Sequence, residues 1–241
     1  MENYMINEQR SAFILGTFFC IGMIALGLIA GFSATRIKEY ERVVAVKGLA
    51  EREIPADVAV WPIRFTAASD DLTNLYATME ANTKQIVSYL QASGFSTTEI
   101  TTASPSVTDK YAQDYDGQKP TMRYKAQQVI TVYSKKINTV RTAQGGLTEL
   151  GKKGIAIGGN EYDQKTQFLF TGLNNIKPAM IEEATRNAKT VAEEFATNAK
   201  SRVGKLKSAN QGQFTIEDRD SNTPYLKKVR VVSTVEYYLA D

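Results

Sequence analysis

The chain has 241 residues, of which 43% are hydrophobic, 23% are charged and 6 are prolines. This composition is typical of a folded protein and excludes the disordered, collagen-like and low-complexity classes. Histidine is absent and Cys20 is the single cysteine. These absences exclude Ser-His-Asp and Cys-His catalytic systems, histidine-bearing metal sites, thiolate clusters and intramolecular disulfides. The composition favours a binding or assembly protein over an enzyme, and we expect no catalytic residues, no metal and no cofactor.

A segment near the N-terminus is apolar enough to cross a membrane. Residues 11–32 carry no charge, and as a helix they would span about 33 Å, slightly more than a hydrocarbon core of roughly 30 Å. We predict a transmembrane anchor at 11–32, between a short tail at 1–10 and a juxtamembrane linker at 33–41. A cleaved signal peptide is the alternative, because the residues at 31–34 (GFSA) offer small side chains at a cleavage point.

Glycine spacing and flanking charge bear on how this anchor packs and how it is oriented. Gly16, Gly27 and Gly31 are spaced so that two helix backbones can approach closely, which predicts packing between membrane helices. Arg10 precedes the segment, whereas four Lys or Arg residues follow it closely. The positive-inside rule alone therefore places the following domain in the cytoplasm.

Residues 42–241 begin with two predicted strands and a helix. The strands, at 42–53 and 57–68, are separated by a turn, and alternate residues of the second share one apolar face, which predicts a half-buried antiparallel pair. A helix is predicted from Asp70 or Asp71, either of which can cap it, to about residue 93, with Gly94 at the C-terminal cap.

A long hairpin is predicted next. A strand at 97–113, interrupted near Pro105, is followed by a strand at 122–135, and turn-forming residues lie between them. The tip of this hairpin carries three tyrosines that are predicted to be exposed, namely Tyr111, Tyr115 and Tyr124. Exposed tyrosines are enriched at interfaces.

The rest of the chain predicts two more helices and three more strands. A helix at 137–150 and a strand pattern at 155–172 precede the clearest helix, at 176–202, and strands at 205–217 and 227–239 follow it. The apolar stripe of the clearest helix comprises Met180, Ala184, Ala188, Val191, Phe195 and Ala199. This order of elements predicts an α+β domain at 42–241, in which antiparallel sheets pack with about three helices.

Several segments of this domain resemble a known family. Residues 44–51 (VAVKGLAE) and 54–59 (IPADVA) are similar to a strand with the pattern V-x-G-x-A, followed by a Pro and Asp turn, although Ala56 here separates Pro55 from Asp57. Residues 123–132 (RYKAQQVITV) resemble a hairpin strand that leads through a short helix to a Gly-rich turn at 153–159. The Ala-rich helix ends at residues 200–206 (KSRVGKL), which resemble a G-K-L ending. Together these motifs resemble the SIMPL-domain family of bacterial envelope proteins, over nearly all of 42–239.

The resemblance implies an α+β fold that self-associates, since one relative, a brucellar periplasmic immunogenic antigen, forms a large ring-like or channel-like homo-oligomer. It also implies a link to envelope and oxidative-stress tolerance, and it supplies no catalytic residues. It favours an extracytoplasmic domain, whereas the charge count favours a cytoplasmic one. The charge count rests on few residues, because Arg10 is the single Lys or Arg of the tail. We therefore expect a single-pass protein of the bacterial inner membrane with its large domain in the periplasm.

Two short motifs resemble ligand sites but fail on spacing. Residues 218–222 (DRDSN) open like a calcium loop, yet Thr223 stands where a Gly is needed and Val229 where a bidentate Glu is needed. A hairpin turn is the better interpretation. Residues 158–160 (GGN) lack the following Lys and Ser or Thr of a phosphate loop.

The expected function is assembly into a large ring-like, channel-like or cage-like homo-oligomer that acts as a scaffold in envelope stress tolerance. The hairpin, through Tyr111, Tyr115 and Tyr124, and the last strand, through Val231 and Tyr237, are predicted to supply subunit contacts, because exposed edge strands pair readily. The partners are other copies of the chain, the bilayer and an unidentified envelope protein. An extracytoplasmic module that binds an envelope ligand or protein is the alternative. Nucleic acid is excluded by a net charge of only +3, spread along the chain.

Overall fold

The computed structural model describes residues 16–33, 42–112, 121–158 and 165–240. Helix α1 (Gly16–Ser33) has a mean hydropathy of 1.9 and is, within those ranges, the helix long and apolar enough to cross a membrane. A signal sequence has the same length and composition, so α1 is a membrane anchor or a signal sequence. The predicted apolar helix is confirmed, and its residues 11–15 lie outside the described ranges, as does the tail at 1–10.

After α1 the described residues form ten strands and four helices. In chain order these are β1 (Val43–Pro55), β2 (Val58–Ser69), α2 (Leu72–Ala92), β3 (Ile100–Thr102), β4 (Ser106–Asp109), β5 (Tyr124–Ser134), α3 (Ile137–Gly145), α4 (Leu147–Lys152), β6 (Ala156–Ile157), β7 (Gln167–Leu169), α5 (Leu173–Asn198), β8 (Arg202–Gln211), β9 (Thr215–Asp218) and β10 (Leu226–Ala240).

The strands make two antiparallel sheets. One has four strands in the order β1-β10-β8, with β9 also paired to β10. The other has six strands in the order β3-β5-β2-β6, with β4 paired to β5 and β7 paired to β2. Two antiparallel sheets packed with helices confirm the predicted α+β class. The chain divides into two compact units: unit 1 is Met1–Ala50, Pro178–Phe214 and Arg230–Asp241, and unit 2 is Glu51–Lys177 and Thr215–Val229.

Unit 2 buries one face of the six-stranded sheet under α2, α3 and α4. Trp61, Ile63 and Phe65 on β2 are at most 3% exposed and share one face, as their alternation predicts. The Asp71 carboxylate caps α2 by accepting a hydrogen bond of 2.7 Å from the Asn74 amide. Gly94 ends this helical segment at a φ of 98°, where glycine is favoured.

Unit 1 packs α5 on β1 and β10. Its core joins Val44 and Val46 of β1, Val235 and Tyr237 of β10, and Ala188 and Ala192 of α5. The helix approaches β1 so closely that a methyl group at Gly48 would lie 1.9 Å from the Ala184 carbonyl oxygen. The glycine of the V-x-G-x-A motif is therefore where the backbones of a strand and a helix touch.

Several predicted elements are divided in the structure. The predicted strand at 97–113 is β3 and β4, which both pair with β5, and the pattern at 155–172 is β6 and β7, which both pair with β2. The predicted strand at 205–217 is likewise β8 and β9, both on β10. The predicted helix at 137–150 is α3 and α4, separated at Gly146, since a glycine weakens a helix interior. In each of the three divided strands, the two pieces pair with the same longer strand.

The apolar stripe predicted for α5 is partly wrong. The buried residues follow a strict four-residue step through Met180, Ala184, Ala188, Ala192 and Ala196. Val191 and Phe195 belong to the predicted stripe, but they are 45% and 55% exposed. Alanines allow α5 to approach the sheet closely, and the larger side chains are left on the flank of the helix.

Candidate functional site

The exposed layer of unit 1 is centred on β8. Every residue from Lys205 to Gln211 is exposed, although one face of an antiparallel strand is commonly buried. Among the described residues β8 pairs only with β10, so its other edge is open. An open edge that is exposed on both faces is a template for another strand.

The exposure of β8 follows from the size of the helix above the sheet. An α-helix is about 10 Å wide and strands lie about 4.8 Å apart, so one helix covers about two strands. In unit 1 those two strands are β1 and β10, whose valines and tyrosine pack on α5. Leu206 pairs with Tyr237, so the two side chains share a face, yet Leu206 is 55% exposed while Tyr237 is 8% exposed. Val203 at the start of β8 still packs against this core, but from Lys205 onward the third strand lies beyond the cover of α5.

Large apolar side chains are exposed on both β8 and α5 in unit 1. Leu206 lies on β8, whereas Val191 and Phe195 lie on the flank of α5 in the same row as Asn187, whose side-chain amide donates to the Leu49 carbonyl of β1 at 2.8 Å. Leu206 and the open edge of β8 define what we call the β8 layer. Lys205 and Leu206 also belong to the G-K-L ending that resembles the family. The sequence analysis does not single out this surface, because the residue pattern of a strand does not show whether the strand lies at the edge of a sheet.

The last strand, β10, does not have the exposed edge that the sequence prediction assumed. It pairs with β1 on one side and with β8 and β9 on the other. Val231 is 1% exposed and Tyr237 is 8% exposed, and both side chains pack inside the chain's own cores. The premise of an exposed edge at Val231 and Tyr237 is therefore wrong for β10, and β1 and β8 lie at the two edges of this order.

The base of the predicted hairpin is held by an arginine. The Arg123 guanidinium lies 5.8 Å from the centre of the Tyr111 ring and 4.8 Å from that of Tyr124. It also donates to the Asp109 carboxylate at 2.9 Å, and these hydrogen bonds lower the pKa of Asp109. Tyr111 is 52% exposed. Tyr115 lies outside the described residues, so the role of the hairpin tip in subunit contacts stays a prediction.

The three glycines of α1 leave their side of the helix open. A methyl group built at Gly16, Gly27 or Gly31 would meet no atom within 4 Å. Around Gly27 and Gly31 the surface forms a shallow groove that also includes Leu28 and Phe32. The predicted contact with another membrane helix remains a prediction.

The acidic segment at 218–222 is a hairpin turn between β9 and β10, as predicted. The Asp218 carboxylate pairs with the Lys227 ammonium. The Asp220 carboxylate accepts hydrogen bonds from the Thr223 hydroxyl, the Arg219 guanidinium and two backbone amides, and these bonds lower the pKa of Asp220. These carboxylates are thus engaged in holding their own turn. In the described ranges, no group of three or more Cys, Asp or Glu residues is arranged to hold a metal ion.

A groove of about 410 Å³ on unit 2 is lined by Lys84, Gln85, Ser88, Tyr89, Ala92 and Lys153. Lys84 already pairs with Glu80 at 2.7 Å. The Tyr89 hydroxyl donates to the Ala143 carbonyl at 2.6 Å. Two polar groups of the groove are therefore used within the chain, and the binding-module alternative stays a prediction.

Comparison with known proteins identifies the family. No curated protein matches the sequence. The family model for SIMPL, described as a protein of unknown function, matches residues 44–236, which is most of the chain. This range runs from the first core valine of β1 nearly to the end of β10, and so includes both sheets and helices α2 to α5. The chain therefore belongs to the SIMPL family.

Proposed function

We propose that this protein is a non-enzymatic, membrane-anchored envelope protein that assembles into a large homo-oligomer. The β8 layer is the observation that supports the proposal most directly. It combines an open strand edge with the exposed Leu206 side chain, and a second copy of the chain would cover both. The assembly would act as a ring-like, channel-like or cage-like scaffold in envelope and oxidative-stress tolerance, the role to which the family resemblance is linked.

Anchoring is the second part of the proposal. Helix α1 is retained, spans the inner membrane once and leaves the SIMPL domain in the periplasm. The apolar run of twenty-two residues supports retention, because it exceeds the roughly 7–15 residues of the apolar core of a secretory signal. A reporter fused after residue 241 that is active only outside the cytoplasm tests this topology, and a silent reporter would contradict it.

The assembly is tested by changing the apolar part of the β8 layer. The L206S variant removes a side chain that is 55% exposed, so the fold should be retained. We expect light scattering of the detergent-extracted full-length chain to give a large mass for the natural protein and a clearly smaller mass for the variant. Electron microscopy of the same samples should show closed particles only for the natural protein.

A matched control removes one exposed aromatic side chain from unit 2. In the Y133S variant the lost side chain is 53% exposed, close to that of the test variant. We expect this control to keep the mass of the natural protein. An unchanged mass in L206S would remove the β8 layer from the interface, and a monomeric natural protein would refute assembly itself.

A further inference from the structure

We propose that one end of the four-stranded sheet docks on the anionic phospholipid headgroups of the bilayer that holds α1. The contact is made by Lys200, Arg202 and Lys205, which we call the basic end. This inference rests on the retention of α1 in the proposed function. It adds a second membrane contact, between the folded domain and the lipid surface, to the anchor itself.

The geometry of unit 1 places the basic end beside the start of the domain. The Leu239 amide donates to the Arg42 carbonyl at 2.8 Å. Ala240 pairs with Arg202, and the Ser201 hydroxyl donates to the Ala240 carbonyl at 2.7 Å. The start of β1, the end of β10 and the start of β8 therefore meet at one end of the sheet.

Chain length keeps this end of the sheet close to the membrane. Eight residues, 34–41, separate Ser33 at the end of α1 from Arg42 at the start of the domain. At no more than about 3.3–3.6 Å per residue, they span about 30 Å at full extension. A short tether also makes docking intramolecular, with an effective concentration in the millimolar range for short flexible linkers. Weak electrostatic contacts are sufficient under such conditions.

The charges at the basic end are exposed and form no ion pair within the described residues, which do not include Asp241 next to Ala240. Lys200, Arg202 and Lys205 are all exposed, and none forms an ion pair with another described residue. Residues 199–211 contain no Asp or Glu. Lys207, further along β8, differs because it pairs with Glu236 at 3.7 Å. Unpaired cations close to a bilayer are attracted to anionic lipids.

The backbone at Lys200 is a further observation. Its φ of 51° lies in the left-handed region, which glycine adopts at lower cost and commonly occupies after a helix. Among the described non-glycine residues, Lys200 is the one with a positive φ. A lysine in this turn places a cation where the local backbone favours glycine, so the charge itself is the feature that requires explanation.

The expected effect follows from the three charges. Each Lys or Arg near an anionic bilayer favours the docked state about fivefold, so three cations favour it by on the order of 100-fold. Salt should reverse docking, because the screening length falls to about 3 Å at about 1 M ionic strength. The K200Q/R202Q/K205Q variant should lose the same 100-fold factor at low salt.

The test uses the full-length chain in lipid nanodiscs, with a spin label on Asn198→Cys in a Cys20→Ala background. Asn198 is the last residue of α5 and lies two positions before Lys200. Nickel chelated to a fraction of the headgroups relaxes the label when it is near the lipid surface. Discs that contain phosphatidylglycerol are compared with discs of phosphatidylcholine. The control variant K125Q/K153Q/K165Q removes three exposed lysines from unit 2.

We expect strong relaxation in phosphatidylglycerol discs, and its loss in phosphatidylcholine discs, at high salt and in K200Q/R202Q/K205Q. The unit 2 control should keep the relaxation. Equal relaxation in both kinds of disc, or its persistence in K200Q/R202Q/K205Q, would overturn docking. Elution of the chain with the discs is a separate readout of anchoring. A chain that has lost residues 1–33 and elutes alone would overturn anchoring and docking together, whereas elution with discs without lipid dependence would overturn docking alone.

Discussion

Gly48→Ala tests the contact between β1 and α5 on which unit 1 depends. The new methyl group would lie 1.9 Å from the Ala184 carbonyl oxygen, 2.4 Å from the Ala188 amide nitrogen and 2.8 Å from the Ala188 Cβ. Ordinary contacts begin at 3.4 Å. Two of the three obstacles are backbone atoms, which cannot rotate away as the end of a side chain can. The helix must therefore retreat from the strand by about 1.5 Å at this point, the difference between 3.4 and 1.9 Å.

The displacement of α5 should destabilise the fold by more than the change from glycine to alanine stabilises it. Overpacking of a core costs about 1–3 kcal/mol, and backbone obstacles place Gly48→Ala at the upper end, about 3 kcal/mol. Alanine also restricts the unfolded chain, which offsets only about 0.4–1 kcal/mol. The cost of the steric clash therefore exceeds this gain. The net loss of about 2 kcal/mol in the free energy of unfolding corresponds to a fall of roughly 4–8 °C in Tm for a domain of this size.

The assay is thermal unfolding of the full-length chain in detergent, followed by circular dichroism. Gly145→Ala is the matched control, because a methyl group there meets no atom within 4 Å and Gly145 lies in helix α3. Alanine in a helix stabilises by about 0.5–1 kcal/mol relative to glycine, so this control should unfold at the same or a higher temperature. A second variant, G48A/A188G, should stay destabilised, because the two backbone obstacles remain.

A Tm for Gly48→Ala within 1 °C of the natural protein would refute the close packing of α5 on β1. Rescue by G48A/A188G to the natural Tm would refute the assignment of the clash to backbone atoms. A loss of stability in Gly145→Ala equal to that in Gly48→Ala would show that alanine at glycine positions is unfavourable for some other reason.

Three further predictions concern a buried hydroxyl, a carboxylate and the hairpin. Ser233→Ala should raise the free energy of unfolding by about 1 kcal/mol in urea titration, because the buried Ser233 hydroxyl makes no hydrogen bond; a decrease would contradict this. Hydrogen bonds lower the pKa of Glu99 from 4.5 to about 2, and they come from the Ser134 hydroxyl, the Ser96 amide and the Lys136 ammonium. The stability that the Glu99 carboxylate contributes is therefore complete above about pH 4.5 and is lost as the pH falls toward 2. In urea titrations at pH 7, Glu99→Gln should therefore lower the free energy of unfolding by up to about 3 kcal/mol, and its difference from the natural protein should narrow by pH 3. A difference that does not depend on pH would refute this. Deletion of residues 113–120 should lower the mass in light scattering, and an unchanged oligomer would remove the hairpin from the subunit contacts.

Local patterns predicted most elements of the fold. Alternation along β2 identified the buried face of Trp61, Ile63 and Phe65, because successive side chains on a strand point to opposite faces whatever it pairs with. The cap at Asp71 and the terminating glycine at Gly94 were likewise predicted, since both act within one helical turn. The family resemblance was also carried by sequence motifs alone, and the match over residues 44–236 confirms it.

Pairing partners and edges required the tertiary structure. The alternation of β10 is the same for an edge strand and a central strand, so the sequence could not show that β10 lies between β1 and β8. Val191 and Phe195 have the spacing of a buried stripe, yet the four-residue step of alanines faces the sheet instead. Residues far apart in the chain decide which face of a helix is covered.

The amino-acid sequence by itself determined the class of the protein: an apolar helix at the N-terminus, an α+β domain and no histidine or thiol chemistry in that domain. Each of these depends on composition or on patterns a few residues long. The tertiary structure decided which strand is left open, which apolar side chains are exposed and why Gly48 must lack a side chain. These depend on the packing of one helix, about two strands wide, over a wider sheet.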